Sequence, residues 1–220
     1  MLENPPLPSN IDTAPVEMYE EGRRYFMGKG RLNNTLARLA SELEEHRIPY
    51  AVIGPAALLA HGYPRFTEDI DLLMTPEGLD KFHAELIGLD KFHAELIGLG
   101  YAPAFPGARK RLLSTIDGVS IEVMTTGEFP GDGKPKPVSM PDPANASTEI
   151  DGIKFVTLEN LIELKLAWGI SAPHRLKDLA DVQELIKIKN LDAHFADKLD
   201  PYVRAKYIEL EEAVSKSQEK

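Results

Sequence analysis

The 220-residue chain is 43% hydrophobic and 27% charged, the composition of a globular protein long enough to bury a real core. Its formal net charge of −10 argues against long duplex nucleic acid, whose binding rests on neutralised phosphates, while leaving room for a local basic patch or one RNA end in a cleft. The absence of cysteine excludes disulfides, thiolate zinc sites and a cysteine nucleophile; with no apolar run near the ~18 residues of a membrane span, it fits a cytoplasmic protein without a membrane partner.

Met1 to Val16 is rich in Pro and Asn, has neither a basic nor an apolar leader region, and is expected to be poorly ordered. Arg31 to His46 reads as a helix, with Leu32, Leu36, Leu39 and Leu43 at helical spacing. Pro49 to Ile53 is a short apolar run ending at Gly54, read as a buried strand. Pro55 to His61 is helical, closed by Gly62 and kept closed by Pro64. Asp69 to Met74 reads as a strand. Thr75-Pro76-Glu77 then starts a helix, with Thr75 as cap and Pro76 where no backbone donor is needed.

That helix carries an unusual feature. Gly78–Ile87 reads GLDKFHAELI, and Gly88–Ile97 repeats it letter for letter. Ten residues at ~100° each fall ~80° short of three turns, so the two copies face different ways. The reading is an insertion into a working fold, either with one copy bulging out at Gly88 or, since Gly88 alone costs only ~1 kcal/mol in a helix, as one continuous helix; a projecting copy would offer Phe and Leu to a homodimer contact.

Lys110 to Ile116 and Val119 to Thr125 flank Asp117-Gly118, a hairpin signal. Gly127 to Ser147 is Pro/Gly-rich and read as a mobile loop or lid; its spacing is wrong for a phosphate-binding P-loop. A second hairpin is expected around Asp151-Gly152. Helices follow over Thr157 to Trp168, Arg175 to Ile188, Leu191 to Leu199 and Tyr202 to Val214. The domain reading is a segment 1–16, an α/β domain 17–156, and a helical part 157–220.

Candidate chemistry concentrates in Gly54 to Leu72. Asp69 and Asp71, two apart on a strand, point to one face. Carboxylates held together repel unless a cation sits between them, and Mg²⁺ accepts such oxygen ligands. Glu122, in Val119-Ser120-Ile121-Glu122-Val123, completes a two-ion site if its strand lies beside theirs. Against this, an Asp-x-Asp is unremarkable in a chain with 35 acidic residues; Lys165 on an apolar helix ordinarily snorkels to solvent; Arg175, Lys177, Asp178 and Asp181 suit plain helical ion pairs; and His61 suits packing at a helix end.

The run Ala-His61-Gly62-Tyr-x-Arg65-x-Thr67-x-Asp69-Ile-Asp71, preceded by a strand ending in Gly54 and a short helix, resembles the signature of the nucleotidyltransferase superfamily, of DNA polymerase β-like fold. Its wording is similar to the minimal nucleotidyltransferases of toxin–antitoxin and abortive-infection type. Leu161-x-x-Leu-Lys165 followed by Arg175-x-Lys177-Asp178-x-x-Asp181 is similar to their C-terminal helical motif. The resemblance spans about Ile48 to Ile186 and implies an α/β fold: a small mixed twisted sheet, flanking helices and a helical C-terminal part. It implies Asp69, Asp71 and Glu122 as catalytic metal ligands for Mg²⁺ or Mn²⁺, with an NTP as substrate. Gly54, Arg65, Thr67, Lys165, Lys177 and Asp178 would serve the nucleotide. The acceptor hydroxyl would belong to a small molecule, a protein or an RNA end. One departure stands out: Pro55 replaces the Gly or Ser expected after the strand and removes a backbone N–H. It supports the alternative of a catalytically degenerate module acting on a protein partner.

Overall fold

The computed structural model describes residues 14–87 and 100–218. Its centre is a mixed seven-stranded sheet flanked by helices, with a helical C-terminal part. Helix α1 (Ala14–Phe26) leads into α2 (Arg31–Glu45) and β1 (Tyr50–Ile53). Helix α3 (Gly54–Ala60), β2 (Asp69–Met74) and α4 (Pro76–Leu86) follow. Next come β3 (Tyr101–Pro103), β4 (Arg111–Ser114), β5 (Ser120–Thr125), the single turn α5 (Pro143–Ala146), β6 (Ser147–Ile150) and β7 (Ile153–Val156). The chain closes with α6 (Leu158–Ser171), α7 (Leu176–Lys189) and α8 (Pro201–Gln218), with short 3₁₀ turns at Pro173–Arg175 and Ala193–Lys198.

The strand order is β3-β4-β5-β2-β1-β7-β6. Strands β1 and β2 are antiparallel, joined through the short α3, whereas β2 lies parallel to β5. That parallel pair needs a long crossover, and α4 with the β3–β4 hairpin supplies it. The central strands β1 and β2 are nearly all apolar because the sheet is covered there, and Ala51, Val52, Ile70, Leu72 and Leu73 are buried.

Several elements depart from the sequence reading. Helix α1 begins at Ala14, inside the segment expected to lack order; the rest of that segment lies outside the described residues. Helix α4 ends at Leu86: Ile87 is extended (φ −104°, ψ 124°) and bridges Tyr101. The expected continuous helix through the repeat is therefore broken at the end of the first copy, because pairing with β3 takes Ile87 out of helical geometry. The second copy and its expected dimer contact fall outside the described residues. Leu191 to Leu199 holds a 3₁₀ turn instead of an α-helix.

The segment after β5 is not a free lid. Gly127 N–H donates to the Met140 carbonyl and Met140 N–H to that of Glu128, both at 2.8 Å. Val138 and Met140 are buried, so the apolar residues scattered in this Pro-rich stretch anchor it. Helix α6 is buried on nearly every side: Leu161, Ile162 and every residue from Leu164 to Gly169 are buried. A helix buried all round is a core helix, and it carries Lys165 inside with it.

Candidate active site

The β2–β5 pairing builds the site. In this parallel register Asp69 lies beside Ser120 and Asp71 beside Glu122. Alternation puts all four on one face. Asp69, Asp71 and Glu122 line one cleft of about 310 Å³, together with Gly54, Arg65, Thr67, Lys165, Lys177 and Asp178. The structure thus gathers every residue assigned from the sequence to the metal or the nucleotide, whereas His61 and Asp181 do not line the cleft. Pro55 and Arg175 share the same walls, and Phe66, Met124 and Trp168 are added to them.

Gly54 holds the chain against the carboxylates. Its φ is +67°, and a Cβ there would lie 1.9 Å from Asp71 Oδ2. Only glycine permits both the left-handed conformation and the close approach. Asp71 is correspondingly crowded. Burial, then the negative charges of Asp69 and Glu122, push its carboxyl up to about 7, against the weaker pull of Lys165 and Arg175. Asp69 is exposed and accepts a hydrogen bond from the Thr67 hydroxyl. Thr67 therefore orients the first carboxylate.

Among the described residues, no three His, Asp or Glu side chains converge as a ready metal-ligand set. The expected three-carboxylate site is adjacent in backbone register but not closed at the side chains. Glu122 lies 3.6 Å from Arg111, its cross-strand neighbour on β4. Like charges gain by separating, and Arg111 offers the Glu122 carboxylate a partner on β4.

The cationic wall is a buried chain of ion pairs. Lys165 Nζ donates to Asp178 Oδ1 at 2.9 Å and to Asp181 Oδ2 at 2.7 Å. Arg65 pairs with that same Asp181 oxygen, and Arg175 Nε donates to Asp178 Oδ2 at 2.7 Å. Burial alone would raise Asp178; Lys165 and Arg175 outweigh it and hold its carboxyl below the usual range. Lys165 is only 3% exposed, so the snorkelling expected of it does not occur. Two of its donors are committed to the protein, and it centres a support that spans the α3–β2 loop, α6 and α7. Arg175 also lies over the Trp168 ring, 5.1 Å from its centroid. Lys177 is exposed at the cleft and makes no hydrogen bond or ion pair among the described residues. His61 is a packing residue, its Nε2 2.8 Å from the Val156 carbonyl oxygen; burial lowers its pKa.

Trp168 and Arg111 escaped the sequence reading. Trp168 carries no motif signal. The turn fixes Arg111: a two-residue Asp117-Gly118 hairpin would set it opposite Met124, but the chain turns over Thr115–Gly118. Asp117 is drawn inward by Thr35 and Arg38, which shifts the pairing by two residues and sets Arg111 against Glu122.

No protein-family model and no curated protein sequence matches the chain. Among solved structures, it is similar to ANT(2″)-Ia in complex with adenylyl-2″-tobramycin, at 15% identity over 79% of this chain and 95% of that one, with a TM-score of 0.49. It is similar to JHP933 from Helicobacter pylori, at 16% identity over 86% and 93%, TM-score 0.43. It is also similar to TM1012 from Thermotoga maritima, at 18% identity over 71% and 91%, TM-score 0.37. At these scores the likenesses are distant, and what the site does is read from its own residues.

Proposed function

We propose that this chain transfers a nucleoside monophosphate from an NTP to a hydroxyl acceptor, releasing pyrophosphate. The observation that carries the reading is the Asp71↔Glu122 register: it sets an anion-crowded, half-buried Asp71 beside a third carboxylate, across one cleft from Arg65, Lys165, Arg175 and Lys177. A divalent cation fits this donor set. Asp69, Asp71 and Glu122 offer carboxylate oxygens on one face of adjacent strands, and Mg²⁺ or Mn²⁺ takes hard oxygen ligands. Asp69 and Asp71 would hold it, with Glu122 joining once it leaves Arg111. When bound, the ion offsets negative charge on the triphosphate and on the leaving pyrophosphate.

The chain's own groups do the rest. Lys177 and Arg175 offer positive charge to phosphate oxygens. Arg65 and Lys165, fixed through Asp181 and Asp178, hold the wall at a set distance from the strands. The acceptor oxygen bonds to the α-phosphorus, the bond to the β-phosphate bridging oxygen breaks, and Glu122 takes the hydroxyl proton. Such chemistry draws on cytoplasmic NTP, where a cysteine-free chain is also at home.

A second reading has two observations behind it. Pro55 offers no N–H at the cleft, and Glu122 is engaged by Arg111. Both suit a degenerate relative that binds a protein partner, as in a toxin–antitoxin pair. A thermal-shift titration with each NTP, with and without Mg²⁺ or Mn²⁺, separates the two. Binding to the native state raises the midpoint once ligand exceeds its Kd. Transfer requires a metal-dependent shift that disappears in Asp69→Asn/Asp71→Asn. No shift with any nucleotide at millimolar concentration would sink the enzyme reading and leave the binding module.

A further inference from the structure

A second chamber opens off the carboxylate cleft. It measures about 450 Å³, and Met124 and Trp168 line both spaces. Its other walls come from the segment after β5, including Glu128, Phe129 and Gly131, and from buried Met140. Strand β5 connects the two: Met124 follows Glu122 on the same face, ~6.8 Å further along. The chamber thus adjoins the cleft two residues along β5 from the carboxylate assigned to take the proton.

The chamber is built in advance. Gly131 (φ +80°) packs so closely on α6 that a Cβ would fall 2.0 Å from Ser171 Oγ. Lys136 Nζ donates to the Pro130 carbonyl at 2.5 Å. Its size suits a small-molecule ligand. Its chemistry is unlike the cleft's: among the described residues no lysine or arginine lines it, and Glu128 is its one charged wall residue. Burial would raise Glu128, but its bonds with Lys110 and the Thr125 N–H hold it below the usual carboxylate range, so it stays anionic. An RNA end would bring phosphates to a wall whose neighbouring cations, Lys110 and Arg175, are already paired with Glu128 and Asp178.

We propose that this chamber is the acceptor subsite of the same reaction, and that it takes a small phosphate-free alcohol with an apolar or aromatic face against Trp168 and Phe129. The proposal rests on the nucleotidyl-transfer reading of the neighbouring cleft.

Trp168 is the chain's single tryptophan, so its emission reports directly on the wall shared by both spaces. The experiment titrates the intact protein with phenyl β-D-glucoside, and in parallel with the trinucleotide UpUpU, while following Trp168 emission. Thermal shift with ATP and Mg²⁺ is recorded on the same samples. Phe129→Ala and Phe129→Leu are compared with the parent chain. The glucoside should perturb Trp168 saturably. Its affinity should fall about fivefold in Phe129→Ala, as expected for losing the apolar contact area of one side chain, and recover in part in Phe129→Leu, with the ATP shift equal in all three. An ATP shift with no glucoside response would overturn the chamber assignment and leave the nucleotide site standing. So would glucoside affinity indifferent to Phe129→Ala, or a response to UpUpU instead. Glucoside binding without any ATP shift would overturn the acceptor role together with the reading it rests on.

Discussion

At Asp71, function and stability pull in opposite directions. Its folded carboxyl is raised to about 7 from the ordinary 3.8. Below pH 4 it is protonated folded or unfolded and contributes nothing. Between 4 and 7 the folded chain holds the proton more tightly, so stability falls as pH rises. Above 7 the full cost of the buried charge is present, on the order of 4 kcal/mol. Asp71→Asn should therefore raise the metal-free melting temperature at pH 8 and not at pH 4, while removing the metal-dependent nucleotide shift. A lower melting temperature at pH 8 would show that Asp71 is already compensated. Gly54→Ala tests the same contact from the other side. Its Cβ would overlap Asp71 Oδ2 in a left-handed backbone, and the variant should lose roughly 2–3 kcal/mol in chemical denaturation. A neutral result would mean that the strand end moves freely away from the carboxylate.

Between elements, the Lys165 cluster ties α6 to α7, and its partners are as buried as it is: the side chains of Asp178 and Asp181 are 3% and 5% exposed. Lys165→Met removes the cation shared by two buried carboxylates, leaving Asp178 with Arg175 and Asp181 with Arg65 alone, and should cost about 3 kcal/mol. Adding Asp178→Asn and Asp181→Asn should recover part of that loss, because the stranded charges go with them; a triple variant weaker than Lys165→Met would contradict a purely electrostatic cost. This link also marks where sequence reading stops. Period-2 alternation placed Asp69 with Asp71 and allowed Glu122 beside them, and leucine spacing placed α2, whose Leu32, Leu36, Leu39 and Leu43 are all buried. Strand β3 escaped because three residues ending in Pro103 show no alternation. Helix α1 escaped because Val16, Met18 and Tyr19 lie on an exposed surface and form no buried stripe. Lys165 looked like a snorkelling lysine because its two partners lie 13 and 16 residues away on another helix, and helix packing decides that meeting.

For the molecule as a whole, the repeat poses the remaining question: whether the second copy of GLDKFHAELI does anything the fold requires. Helix α4 completes its cap, its turns and its buried face within the first copy, through Leu79, Phe82 and Leu86. Ile87 already meets Tyr101 at the edge of the sheet. Deleting residues 88–97 cuts the connection between Ile87 and Tyr101 from thirteen residues to three, Gly98-Leu99-Gly100. Three residues span the ~5 Å between neighbouring strand positions, but Ile87 and Tyr101 bridge in parallel, which so short a return does not allow, so the shortened chain gives up that single bridge. A shorter loop closes at a cost lower by ~1 kcal/mol, which offsets the lost bridge. The deletion variant should thus match or slightly exceed the parent's melting temperature, with the NTP response unchanged, since no cleft residue is touched. A clear fall in melting temperature would show instead that the copied segment contributes to the core, and that the duplication had become part of the fold.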